Sequence, residues 1–275
     1  MFTKLLKYEW RNSRGLLGIL CGCILGIGLL ASVALRFIIE TAENAVDDAV
    51  ALAIIPSSLF LFLAFLSVAV LTAAVPLVLL YRFYKTRFTD QGYLTFTLPA
   101  KTSDIFLSSA MNILIWEAIT FCTILLAFIA VIGIGIPGWA SEELPEGILP
   151  YLYDEYSDVY NLSSLAIAIA SILINCAYSI IVPMCSIVIG AVVAKKHKIL
   201  AAIGICYGIS IVNSVISGII SGVVQVSIMM GSVDMENLVT ISNIASLVNL
   251  ILPLGLTIAG YFLSIHLMKN KLNLP

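Results

Sequence analysis

A chain of 275 residues in which 61% are hydrophobic and 11% charged, with a mean hydropathy of +1.08, is not a soluble globular domain, where about a quarter of residues are charged. The apolar runs are long and unbroken, which excludes the ~10-residue alternating segments of a membrane β-barrel. The net charge of −2 says little by itself, and nothing in the composition points to nucleic acid.

Windows of ~20 nearly uncharged residues cross a bilayer as helices. The chain therefore reads as an all-α, polytopic membrane protein. Residues 1–275 form one transmembrane domain, because no polar run is long enough to fold alone.

The first element is FTKLLKYEWRNSR at 2–14. Lys4, Lys7, Arg11 and Arg14 recur at steps of three and four, with Phe2, Leu5, Leu6 and Trp10 opposite. That pattern predicts an amphipathic helix over 1–14 lying at the lipid interface. Glu9 falls on its apolar side. Six spans follow, at about 15–38, 51–81, 104–136, 162–194, 199–230 and 241–267. The first run is longer than the roughly 7–15 apolar residues of a signal peptide, so it is read as a retained span. Pro56, Pro76, Pro183 and Pro253 mark kinks or span ends.

The basic residues set the orientation. Thirteen of the fourteen Lys and Arg lie before span 1, between spans 2 and 3, between spans 4 and 5, or after span 6, with Arg36 as the exception. Most of the acids fall in the other three connections. Both termini are thus expected in the cytoplasm of a cell-membrane protein.

Residues 82–103 make a basic, aromatic, proline-broken cytoplasmic segment. Arg82 to Arg87 are expected to prolong span 2. Asp90-Gln91-Gly92 reads as a turn, and Tyr93 to Leu98 alternate with period two, as a short extended strand would. Pro99 disfavours helix before it, and Thr102 or Ser103 can cap a new helix with Asp104 at its positive end. Leu94, Phe96 and Leu98 need a cover. A partner protein supplies it, or they lie at the membrane interface or under the elbow helix.

On the external side, 137–161 mixes six acids with Trp139, Tyr151, Tyr153, Tyr156 and Tyr160, a composition suited to interfacial turns. Its Glu142-Glu143 has no basic or His partner at helical spacing, which excludes an intramembrane protease. The six cysteines all sit in apolar spans, where Cys packs as a small hydrophobe. His197 and His266 have no acidic or Cys cluster of metal-ligand spacing beside them.

Inside the spans, Glu117 is the single acidic candidate. It is expected near the inner boundary, either snorkelling there or facing the bundle as a gate. The amides Asn175, Asn213, Asn243 and Asn249 are pathway candidates. Asn243, Ser246 and Asn249 share a helix face that packs against a neighbour or lines a pathway. Gly18, Gly22 and Gly26 on span 1, and Ser214, Gly218 and Gly222 on span 5, form small-residue stripes for close helix approach, within the bundle or between subunits.

The N-terminal FTKLLKYEWRNSRG, the segment YKTRFTDQGYLTFTLPAKTSDIFLSS, and six spans with both ends inside together resemble the permease subunits of type 2 ATP-binding-cassette (ABC) transporters of Gram-positive type. The likeness covers the whole chain in topology and about forty residues in motif. It implies that the N-terminal helix is an elbow helix, and that the loop after span 2 carries a coupling helix seated in a groove of a cytosolic ATPase. Carried over, the coupling surface is Thr89, Asp90, Gln91, Gly92, Tyr93, Leu94, Phe96, Leu98, Pro99, Lys101 and Asp104. Lys195 and Lys196 make a second, smaller contact. The likeness also implies a second permease copy or paralogue, with spans 1 and 5 of opposite halves meeting. One departure stands out: the longest external segment here follows span 3, whereas in well-known members it lies between the last two spans.

The chain has no G-x-x-x-x-G-K-[ST] loop. No cofactor is expected on it and it is not expected to be an enzyme; ATP and Mg would sit on the partner ATPase. The preferred expectation is the permease of an ABC exporter. The alternatives are an ion-coupled secondary transporter and a non-transporting scaffold or sensor subunit.

Overall fold

The structure is a computed structural model that describes residues 1–43, 49–89, 92, 101–135, 162–194, 196–229 and 235–270. The described residues form six helices: α1 (Phe2–Glu43), α2 (Ala49–Phe88), α3 (Thr102–Gly135), α4 (Leu162–Val193), α5 (Lys198–Met229) and α6 (Met235–Asn270). All six are long and apolar enough to cross a membrane. The segment 137–161, expected on the external side, lies outside the described residues.

The solvent these helices are built for is legible in what they bury. Phe62, Phe65, Leu173, Ile219 and Phe262 are exposed, while Ser13, Ser32, Ser108, Asn112, Thr120, Ser186 and Ser264 are buried. In water that arrangement would waste apolar burial. In lipid it is expected, because apolar side chains gain nothing by turning inward and small polar ones pack and hydrogen-bond between helices. Most buried hydroxyls donate to the carbonyl three or four residues back, as Ser186 does to Val182 (2.9 Å) and Ser264 to Gly260 (2.6 Å). These bonds satisfy the small hydroxyls locally, whereas the Tyr178 hydroxyl is buried with no hydrogen bond among the described residues.

Two differences from the sequence reading concern helix ends. The amphipathic segment does not turn into the first span; Phe2 to Glu43 is one uninterrupted helix of 42 residues, about 60 Å long at 1.5 Å per residue. Its basic stripe is exposed while Phe2, Leu5, Leu6 and Trp10 are half-buried, so the two expected faces are present. The prolines do not end spans: Pro56 and Pro76 lie inside α2, Pro183 inside α4 and Pro253 inside α6. At the far end of α1, Arg36 pairs with Glu40 at 2.8 Å, which neutralises the one basic residue that breaks the charge pattern.

The chain divides into two compact units. The first comprises 1–82 and 111–147. Within it α1 and α3 run parallel, because contacts recur at the same sequence offset: Ser13 with Asn112, Cys21 with Thr120, Gly28 with Ala127. The approach is close enough that a Cβ on Gly28 would lie 2.7 Å from that of Ala127, and one on Gly135 would lie 2.8 Å from Leu35 Cδ2.

The second unit comprises 83–110 and 148–275. Here α4, α5 and α6 pack on one another. The α4–α5 connection is short, and His197 accepts from Ala201 N–H (3.1 Å) to start α5. A Cβ on Gly190 would meet Ala202 N at 2.7 Å and Cα at 2.9 Å. Because backbone cannot move aside as a side chain can, Gly190→Val is expected to lower stability by about 1–3 kcal/mol. Thermal unfolding in detergent checks this, with Gly204→Val as the control, since a Cβ there meets no described atom within 4 Å.

Candidate functional site: the aromatic seat of α2 and α3, and two cavities

The segment singled out in the sequence begins where α2 ends. Lys85 and Arg87 occupy the last turn of α2, where positive charge suits the helix C-terminus. Arg87 is 5% exposed, although a positive-inside charge would be expected to reach water. Thr89 Oγ1 donates to the Lys85 carbonyl (2.5 Å), and Gly92 N–H donates to the Thr89 carbonyl (2.7 Å); of the turn expected at 90–92, Asp90 and Gln91 lie outside the described residues. Gly92 is buried. Residues 90, 91 and 93–100, including Asp90, Gln91, Tyr93, Leu94, Phe96, Leu98 and Pro99, lie outside the described residues. Beyond them α3 starts one residue earlier than a Thr102 or Ser103 cap would place it. Lys101 stands at the N-cap, its carbonyl accepting from Asp104 N–H (2.9 Å) and Ile105 N–H (3.2 Å), with Asp104 in the first turn.

Both ends of this segment are fixed to one aromatic cluster. Phe106, near the start of α3, is fully buried. It meets Phe83 of α2 edge-on at 6.1 Å and Tyr261 of α6 at 5.8 Å. Phe83 in turn meets Phe88 at 5.7 Å, and Tyr84 stacks on Phe88 at 6.3 Å. Edge-to-face pairs of this kind contribute about 0.5–1.5 kcal/mol each beyond burial. Sequence reasoning noted the aromatics but had no signal that Tyr261, more than 150 residues away in the chain, would join them.

The N-terminal segment is also held by specific contacts, within the first unit. Trp10 stacks on Trp116 with ring centres 4.8 Å apart. Ser13 is buried; its Oγ accepts from the Trp116 indole N–H (3.0 Å) and donates to the Glu9 carbonyl (2.9 Å), with Asn112 Oδ1 at 3.4 Å. Arg82 donates to the Asn12 carbonyl at 2.7 Å. Glu117, the residue after Trp116, therefore stands at the level of Trp10 and Ser13 along α3. It is half-buried and lines a cavity of about 260 Å³ with Thr72, Val75 and Pro76 of α2 and Thr120, Phe121 and Ile124 of α3.

Comparison with protein-family models, with curated proteins and with solved structures gives no match.

The four pathway amides are brought together. Asn175 from α4, Asn213 from α5, and Asn243 and Asn249 from α6 line one open cleft of about 400 Å³. Ser164 and Ser171 of α4, Ser217 of α5 and Ser246 of α6 complete its polar surface. The small-residue stripes are elsewhere: a Cβ on Gly18, Gly22, Gly26, Gly218 or Gly222 meets no described atom within 4 Å, and Ser214 is exposed. Close approach within each unit falls instead on Gly28, Gly135 and Gly190. Of the second basic contact, Lys196 is exposed and Lys195 lies outside the described residues.

Proposed function

We propose that the chain is the membrane-spanning permease subunit of an ABC exporter, driven by ATP hydrolysis on a separate cytosolic ATPase and working with a second permease copy or paralogue. The observation that carries this reading is the aromatic seat of Phe83, Phe88, Phe106 and Tyr261. A segment that only joins two spans needs no such mount. A segment that receives force needs rigid attachment at both ends, and this one is attached to α2, α3 and α6 together. Closure of an ATPase pair against 89–104 would then move three helices as one, and a bistable pathway would switch its access. The resemblance of the segment to type 2 permeases and the clustering of basic residues on its side of the membrane support the same reading.

The test is co-purification with the ATPase, followed by Leu98→Asp or Gly92→Trp. The buried position of Gly92 leaves no room for an indole. Either change is expected to abolish ATPase binding or the response of its turnover to the permease. Retention of both sinks the coupling assignment.

Glu117 and its cavity favour the second reading, an ion-coupled carrier, in which a carboxyl at membrane depth exchanges a proton or cation. In the ABC reading Glu117→Gln leaves ATP-dependent transport within about twofold, since an amide keeps the shape and hydrogen bonding of the site. Transport that instead follows an imposed ion gradient, and is lost in Glu117→Gln, would favour the carrier.

A further inference from the structure

The cleft between α4, α5 and α6 has an unbalanced inventory of hydrogen-bonding groups. Asn213 Oδ1 and Asn249 Oδ1 are buried and make no hydrogen bond among the described residues. Both residues line the cleft. A third acceptor adjoins them. An α-helix pairs the carbonyl of Asn249 with the N–H of residue 253, but residue 253 is proline, inside α6, and has no N–H to give. Three donors of the cleft are turned back onto their own helices. Ser171 donates to the Ala168 carbonyl (2.7 Å), Ser246 to the Ser242 carbonyl (2.8 Å), and Asn175 Nδ2 to the Ser171 carbonyl (2.8 Å). Asn213 Oδ1, Asn249 Oδ1 and the Asn249 carbonyl thus face the cleft as acceptors without a described donor, beside the amide N–H groups of Asn213, Asn243 and Asn249.

Unmatched acceptors at membrane depth cost several kcal/mol each, more than the ~0.6 kcal/mol that an average interhelical polar contact returns. An arrangement made only for packing would close these groups on one another. The cleft also limits what could supply the donors. Among the described residues no charged side chain lines it, which gives a full cation no counter-ion and an anion no base. No aromatic ring among the described residues lines it either, which gives a sugar no face to stack on. The planar, uncharged N–H-bearing group that asparagine side chains match is an amide. From Ser164 to Asn175 the cleft follows α4 for about 16 Å, half the ~30 Å hydrocarbon core. It starts near the α4 end that follows residues 137–161 and ends midway along α5, at Asn213. Its volume is within the roughly 300–1,000 Å³ of small-ligand sites.

We infer that this cleft is a hydrated binding site for an uncharged, amide-bearing ligand, whose N–H groups are accepted by Asn213 and Asn249. The site is complete within the α4–α6 unit and does not depend on the ATPase.

The test uses full-length chains with the native thiols replaced by alanine and one cysteine introduced, as Ser217→Cys or Ser246→Cys, which line the cleft without being its named acceptors, or, on the same turns of α5 but exposed, Val215→Cys. A charged methanethiosulfonate reagent is applied to right-side-out and to inverted membrane vesicles, alone or with millimolar N-acetyl-trialanine amide or acetamide. Ser217→Cys and Ser246→Cys are expected to react from one face at least about tenfold faster than Val215→Cys, equivalent to ~1.4 kcal/mol. An amide competitor is expected to slow them by about as much. Protection by the blocked tripeptide alone identifies a peptide backbone as the source of the amide; protection by acetamide as well identifies small amides. Introducing Asn213→Leu or Asn249→Leu into Ser217→Cys is expected to remove that protection. Should these variants fail to fold, Asn175→Cys at the open edge gives the same readout. Absence of reaction from both faces, reaction that neither amide slows, or protection that survives both Asn213→Leu and Asn249→Leu would each overturn the inference. Because no ATPase is present, those outcomes leave the coupling proposal untouched.

Discussion

Phe106→Ala is expected to destabilise the protein by about 3–5 kcal/mol, the range for removing a fully buried aromatic side chain. The ring is fully buried and meets Phe83 and Tyr261 edge-on, so truncation severs α2 from α6 at a single point. Two readouts follow. Thermal unfolding in detergent should show a large fall in midpoint, with Phe106→Leu intermediate because it refills most of the volume. On the proposed ABC reading, at a temperature where Phe106→Ala is still folded, a cytosolic ATPase should still bind, since residues 89–104 are unchanged, but its turnover should no longer respond to this chain. Binding and response that both survive would mean that the aromatic seat stabilises the bundle without transmitting force.

Trp116→Ala is expected to cost a similar ~3–5 kcal/mol by a different route. The indole is 4% exposed, stacks on Trp10 and donates to Ser13. Its loss frees the first three turns of α1 from α3, so protease cleavage within residues 2–14 should appear well below the global unfolding temperature. Trp116→Phe keeps much of the stack and removes the hydrogen bond, and should cost only about 1 kcal/mol. If Trp116→Ala leaves the N-terminal segment as protected as the parent, the contact with α3 is not what holds it.

The spans were legible because lipid demands long uncharged helices, and both charge and apolar content report that directly. The start of α4 at Leu162 was expected from the point where the acids and tyrosines of 137–161 give way to an apolar run. The polar face of α6 was legible too, because Asn243, Ser246 and Asn249 repeat at helical spacing. That it meets Asn175 and Asn213 depends on how α4 and α5 pack, which no local pattern encodes. The glycines illustrate the same boundary. Gly18, Gly22 and Gly26 announce themselves by periodicity and yet contact no described atom. Gly28 and Gly190 have no such announcement, but Ala127 and Ala202 lie against them. A glycine's importance depends on its neighbour, and neighbours about a hundred residues apart, such as Ser13 and Asn112, leave no trace in spacing. The unbroken run of α1 was missed for a physical reason: an amphipathic start followed by an apolar stretch fits either a bend at the membrane surface or a straight helix whose first turns pack on a neighbour. The Trp10–Trp116 stack decides for the second.

The most direct test of the account places a photo-crosslinking amino acid at Leu98 in cells and irradiates native membranes. The coupling assignment predicts a covalent adduct with a cytosolic nucleotide-binding subunit, its yield changing when ATP is added. Adducts with lipid or with the chain itself, and with no soluble subunit in any nucleotide state, would contradict it.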